Sequence, residues 1–187
     1  MSKIPEKLDV KLDLATRLMY PRPVVLITSI DSSGKPNIIP VAWTTPTSFD
    51  PPMVAISIAL KRYSHKLITE TREFVINIPT KELVKQIDYL GSVSGKDVDK
   101  FKASNLTPLP AKRVKPPLIG ECVAHIECVL ASNLDTGDHT IFVGKVVAAQ
   151  ANRDAFKTNY NLKKVKMVLR HEKRYLTTGR YIQFRSS

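Results

Sequence analysis

"PVAWTTPTSFDPPMVAIS", residues 40–57, decides how this chain is read. Both ends have the apolar, β-branched character of strands. Between them stand Thr44, Thr45, Thr47 and Ser48, next to the only tryptophan, Trp43. Such a hydroxyl cluster is either ordinary turn chemistry or the wall of a pocket that must hydrogen-bond a flat ligand with a polar edge. Pro51 and Pro52 stand at the entry of the second run, where a missing N–H removes no central ladder bond.

Outward from this stretch, "PVVLITSID" is a β-branched run that ends in the turn "DSSGKP" and is followed by "NIIPVAW", which predicts a hairpin. "PPMVAISIAL" is a third strand and "FVINI", Phe74 to Ile78, a fourth. A helix is expected over about 64–71, with Tyr63 and Ile68 stapled across its start. A second begins at Thr80, its expected cap, with Glu82 in the first turn and Leu83, Val84, Ile87 and Leu90 at helical spacing. "LDVKLDLATRLMY" is a short helix or an arm. "ECVAHIECVL" and "HTIFVGKVVAAQ" read as a second hairpin joined by "ASNLDTGD", with Gly137 giving the backbone freedom of the turn. Many short strands with two inserted helices predict a mainly β fold, a closed or nearly closed antiparallel barrel. The regular strand–helix alternation of a doubly wound sheet is absent.

At 187 residues and 43% apolar content the chain reads as a single globular domain, 1–187, able to bury a core. No apolar run approaches the length that spans a bilayer. "MSKIPEKLDVKLDL" lacks the apolar centre of a signal peptide, so the expected location is the cytoplasm, with no membrane partner. Cys122 and Cys128, six residues apart on one apparent strand, would stand roughly 20 Å from each other. That is too far for a disulfide, so both are expected to be buried fillers. His65, His125, His139 and His171 are scattered without metal-ligand spacing, and no metal site is expected. No serine sits in a GxSxG elbow.

The net charge of +12 predicts anionic partners. Residues 163–187 alone hold eight Lys or Arg against the single Glu172. The sharper signal lies at the first helix start, where Lys61, Arg62, His65 and Lys66 surround Ser64. Cations at a helix N-terminus are unfavourable by several tenths of a kcal/mol each. A bound anion reverses that sign, because free N–H groups, Ser64 and the basic side chains would all face it, with Ser57 adding a hydroxyl. The competing reading is a solvated basic face. "GSVSGKD", 91–97, is not a Walker A sequence and is either a loop of backbone donors or a helix-ending turn. His139, at a hairpin mouth beside Gly137 and Asp138, is better placed for function than His125, which lies within a strand.

"PVAWTTPTSFDPPMVAISI", "KRYSHKLI", "FVINIP", "GSVSGKDVDKF" and "GDHTIFVGKV" together, in this order over roughly 18–150, resemble the flavin reductase-like proteins, the FMN-binding split barrels that include flavoredoxins. The basic extension 151–187, through "YLTTGRYIQF", resembles the family more loosely. The resemblance implies an antiparallel split β-barrel with a few short helices, a homodimer, and FMN near the subunit interface. It implies that Val41, Ala42, Trp43, Thr44 and Thr45 lie along the isoalloxazine and ribityl chain. The phosphate would sit among Ser57, Lys61, Arg62, Ser64 and His65. Asn77 matches a strand asparagine of the family, and Ser92, Ser94, Gly95 and Lys96 belong to a segment that closes over the cofactor. His139 would position the electron donor, NADH or NADPH; Trp43 would contact the ring or fill the barrel. A flavoredoxin-like electron carrier without NAD(P)H turnover is the alternative within the family. A basic barrel binding nucleic acid through 163–185, with Tyr160, Tyr175, Tyr181 and Phe184 as stacking surfaces, is the alternative outside it.

Overall fold

The computed structural model describes residues 4–179. In chain order, a 3-10 helix over Leu12–Met19 precedes strands β1 (Arg22–Pro23), β2 (Val25–Ile30), β3 (Pro36–Val41), β4 (Thr44–Phe49) and β5 (Pro52–Ala59). Helix α1 (Tyr63–Thr71), strand β6 (Glu73–Ile78), helix α2 (Val84–Ser92) and helix α3 (Lys100–Ser104) follow. The chain continues through β7 (Pro108–Leu109), β8 (Leu118–Ile119), β9 (Ala124–Thr136), β10 (His139–Ala151), β11 (Val168–His171) and β12 (Arg174–Thr177). Seven strands form one antiparallel sheet in the order β3-β2-β6-β9-β10-β5-β4.

The sheet curls around one core and is covered on its outside by a second. Along β2 the side chains alternate between them. Val25 and Ile27 join Val41, Ile56, Ile58, Phe74, Ile76, Cys128, Leu130 and Phe142 inside, closed by Ile68 of α1. Val24 and Leu26 face Leu83, Ile87 and Leu90 of the α2 region, Phe101 of α3 and Val168 of β11. A strand buried on both faces reads as an unbroken apolar run, which is why "VVLI" lacks alternation. The architecture is the expected mainly β split barrel.

Four sequence expectations are corrected. The hydroxyl-rich stretch is not an elbow but β4 itself, an edge strand paired with β5 from Thr44↔Ile56 to Phe49↔Pro52. The β9–β10 hairpin turns only at Gly137 (φ 62°) and Asp138; "ASNLDT" continues the strand. Helix α1 starts at Tyr63 with Arg62 as N-cap, so Tyr63 lies inside the first turn and cannot staple it from outside. The Thr80 hydroxyl donates to the Glu82 carboxylate and makes no cap bond to the helix. Beyond residue 150 the chain packs back on the rest: β11 pairs with β1, and the Lys81 N–H donates to the Lys166 carbonyl at 2.9 Å.

Cys122 and Cys128 are free and buried as expected. Burial pushes both thiols up, Cys128 to about 12, so neither offers a thiolate near neutral pH. No helix among the described residues is long and apolar enough to cross a membrane.

Candidate functional site

A trough runs along β3 toward the start of α1. Its larger part, a cavity of about 460 Å³, is walled by Ile39, Pro40, Val41, Ala42 and Trp43 on one side. Ser57, Ile58 and Ala59 of β5, with His139 at the hairpin tip, form the other side. The smaller part, about 240 Å³, is walled by Asn37, Tyr63, Ser64, Lys100 and the segment Ser92–Gly95. Ile39, Pro40, Lys61, Arg62 and Gly91 border both, so the two parts adjoin. Pairing explains the convergence. β5 pairs with β10 from His139↔Ala59 onward, and the Leu60 N–H donates to the Asp138 carbonyl at 3.1 Å. That carries the hairpin tip to Lys61.

The wide end is aromatic. The Trp43 and His139 rings stack at 4.8 Å and 22°. Trp43 is 39% exposed, so it walls the trough and does not fill the barrel. His139 Nδ1 lies 2.6 Å from Asp138 Oδ1. An ionised carboxylate only accepts, so Nδ1 carries the proton and Nε2 is the nitrogen left for a ligand. The same hydrogen bond holds the Asp138 carboxyl below its ordinary range.

The narrow end is cationic. Among the described residues, neither Lys61 nor Arg62 has an acidic partner within ion-pair distance. Ser64 is buried, and its hydroxyl accepts from Asn37 Nδ2 at 2.7 Å. Asn37 Oδ1 is buried without a partner. A Cβ on Gly95 would collide with that oxygen, so only glycine lets the loop approach this closely. Lys100, 4% exposed, donates to the carbonyls of Ile38 (2.9 Å) and Leu90 (2.7 Å). Burial, with Arg62 nearby, lowers its pKa to about 8.

That shift carries a pH prediction. With a folded value near 8 and an unfolded value near 10.5, the unfolded chain holds the extra proton between them, so this group makes stability rise with pH across that window. Anion binding has the opposite sign. A bound phosphate favours protonated Lys100, so its affinity falls as pH rises above about 8. Titrating inorganic phosphate at pH 7.5 and 9.5 should show weaker binding at the higher pH, with the difference lost in Lys100→Met. An unchanged affinity would remove Lys100 from the site.

Of the expected site residues, Val41, Ala42, Trp43, Ser57, Lys61, Arg62 and His139 meet at the wide part, and Ser64, Ser92, Ser94 and Gly95 at the narrow part. Thr44 and Thr45 line a separate cavity with Met19, Ala55, Ile56 and Ile141, which touches the trough only through Arg22, Trp43 and Ser57. Three more of the expected residues do not line the trough. His65 turns away to Thr140, Nε2 to Oγ1 2.8 Å, with its ring edge-on to Phe142. Asn77 is wholly buried: its Nδ2 donates to the Leu26 carbonyl, and its Oδ1 faces the Ile119 N–H and His125 Nδ1. It is a core staple, and its partner His125 is structural, as expected. Lys96 is exposed and its Nζ lies 5.9 Å from the Tyr63 ring, outside the trough.

Sequence reasoning missed Asn37, Lys100, Tyr20, Arg22 and Arg170. Lys100 carried a faint signal, a lysine three residues past the Gly/Ser loop. Arg170 carried none, since Arg22, its partner across the ladder at the trough, is distant in sequence. Of the aromatics proposed for nucleic-acid stacking, Tyr160 packs edge-on against Phe156 and Tyr175 hydrogen-bonds Asp88. Both are engaged within the chain; Tyr181, Phe184 and Arg185 lie outside the described residues.

Comparison with known proteins agrees with this geometry. The family model described as flavin reductase like domain matches residues 16–176. A protein of Archaeoglobus fulgidus is 40% identical over 139 residues, 74% of this chain and 77% of the relative. Flavin reductase (NADH) of Kitasatospora aureofaciens is 28% identical over 162 residues, 77% of this chain and 79% of the relative. The solved structure of flavoredoxin from Desulfovibrio vulgaris (Miyazaki F) is 29% identical, with a TM-score of 0.85 over 97% of each chain.

Proposed function

The chain belongs to the flavin reductase-like family, and on that premise we propose that it is a cytoplasmic FMN-binding oxidoreductase that takes electrons from NADH or NADPH. One observation supports this above the others: an aromatic, hydrogen-bonding end of the trough adjoins a cationic end with no carboxylate within ion-pair distance among the described residues. The residues fit a phosphorylated flavin. Lys61, Arg62, Ser64, Lys100 and the free N–H groups of α1 would neutralise the phosphate. The polyol carries hydroxyl donors of the kind Asn37 Oδ1 lacks.

When bound, FMN would supply a ring able to accept a hydride and pass electrons on. The backbone of Val41–Trp43 would hydrogen-bond the ring edge. The Trp43–His139 stack walls the same end. Asp138 fixes the His139 tautomer, so that Nε2 can orient a donor. The absorption spectrum of freshly purified protein tests the reading: a flavin spectrum with FMN near one-to-one is expected, followed by NADH or NADPH oxidation. A colourless protein that ignores added FMN in either redox state would overturn it.

The likeness to flavoredoxin favours a second reading, an electron carrier that keeps its flavin and has no NAD(P)H turnover. A flavin-loaded protein that dithionite reduces but nicotinamides do not would select it. A homodimer is part of the proposal as well. The 3-10 helix buries no residue, Leu12, Leu18, Met19 and Phe49 are exposed, and the cavity of Thr44 and Thr45 lies alongside. Light scattering after gel filtration should give twice the 20.9 kDa chain mass; a monomer at micromolar concentration would reject the dimer.

A further inference from the structure

The wide end of the trough carries a charge arrangement that flavin binding does not use. Arg22 of β1 and Arg170 of β11 are direct partners in the antiparallel ladder, and both line the larger cavity. Like charges directly opposite each other in such a pair disfavour the fold. Among the described residues, neither has a carboxylate within ion-pair distance. Arg22 Nε is buried and has no hydrogen-bond partner, which leaves its desolvation uncompensated.

Both guanidinium groups are nonetheless held in place. That of Arg22 lies 4.3 Å from the Tyr20 ring centroid and 5.3 Å from that of Trp43. Arg170 donates from Nη1 to the Tyr175 hydroxyl at 2.6 Å and from Nε to the Glu172 carbonyl. The Tyr175 hydroxyl donates to Asp88 at 3.2 Å, so that carboxylate reaches Arg170 only through a neutral group. Two fixed guanidinium groups without a carboxylate partner, beside the Trp43–His139 wall, suit an oxyanion, which would offset both the repulsion and the unpaired N–H of Arg22. Neither arginine borders the narrow part of the trough, where the flavin phosphate is placed.

We propose that Arg22 and Arg170 form a subsite for a carboxylate or phosphate group of the second substrate, the molecule that exchanges electrons with the flavin. The redox role rests on the flavin reading; the anion binding does not. The test compares flavin-loaded wild type with Arg22→Gln and Arg170→Gln. Three rates are measured: reduction by NADPH, and reoxidation of the dithionite-reduced protein by ferric citrate and by uncharged menadione. Each two-electron reoxidation by ferric citrate consumes two ferric ions.

Both variants should lose about 10-fold with one anionic reagent, while menadione and FMN affinity stay within about 3-fold. Loss with ferric citrate identifies a carboxylate, loss with NADPH a phosphate. Arg22→Lys and Arg170→Lys, which keep the charge without the fork, should fall between. Equal slowing with menadione, or a matching loss of FMN affinity, would overturn the subsite. Thermal unfolding of protein without flavin separates the two readings. Citrate or pyrophosphate should raise Tm less in both Gln variants than in wild type, and undiminished in Lys145→Gln, an exposed residue outside the trough. A diminished rise in a protein that binds no flavin keeps the subsite and rejects the flavin reading; an equal rise in all variants rejects the subsite.

Discussion

Gly144→Val should leave too little folded protein to purify, and Gly144→Ala should lower Tm by about 2–12 °C. Gly144 lies in β10 opposite Val54 and Leu130, beside a register shift. A Cβ there would stand 2.5 Å from Phe74 Cζ and 2.8 Å from Cys128 Cβ, both on fully buried side chains. Forcing atoms into a packed core costs about 1–3 kcal/mol for small insertions, and a chain of this size loses about 2–4 °C per kcal/mol. Valine adds two more methyl groups to the same collision, against a total stability of about 5–15 kcal/mol. Phe74→Leu removes the ring atoms involved, so Gly144→Ala combined with Phe74→Leu should be less destabilised than the sum of the single changes. Calorimetry of the three variants checks this, and an unchanged Tm for Gly144→Ala would refute the close packing.

Replacing Lys61 and Arg62 together with Gln should weaken FMN binding about 100-fold and leave riboflavin binding within about 3-fold. Charged hydrogen bonds are worth about 1.5–3 kcal/mol each; both side chains are exposed in the free protein, so the lower value applies. Riboflavin has the same ring and polyol without the phosphate, so the ratio of the two affinities isolates the charge. Quenching of flavin fluorescence measures both. The wild-type FMN affinity should also fall with added salt, as for any exposed charge pair. Equal losses for FMN and riboflavin would mean that these residues shape the trough and do not hold the phosphate.

The helix start is where sequence reasoning reached furthest. Lys61, Arg62 and Lys66 stand where a helix N-terminus disfavours them, and the contradiction points to an anion without any coordinates. It also included His65, which lies outside the trough, because helical spacing does not say which face is turned to the sheet. His65 faces Phe142 and Thr140 across the α1–β10 contact. Asn77 lies outside the trough for a related reason. An asparagine within an apolar strand is legible as special, but whether its amide serves a ligand or the core depends on the strands beside it. Here Leu26 and Ile119 use it up.

The sequence by itself determined the local elements and the cationic helix start. Strand and helix periodicity, turn glycines and charge near a helix end act over a few residues, and a few residues are what a linear reading sees. Only the tertiary structure decided that β4 is an edge strand, that Trp43 walls a trough, and that Lys100, Arg22 and Arg170 border it. The pairing of Arg22 with Arg170 spans 148 positions of chain and is fixed by the β1–β11 register. That register follows from burying Val168 in the outer core, a long-range free-energy balance that no short stretch of sequence contains.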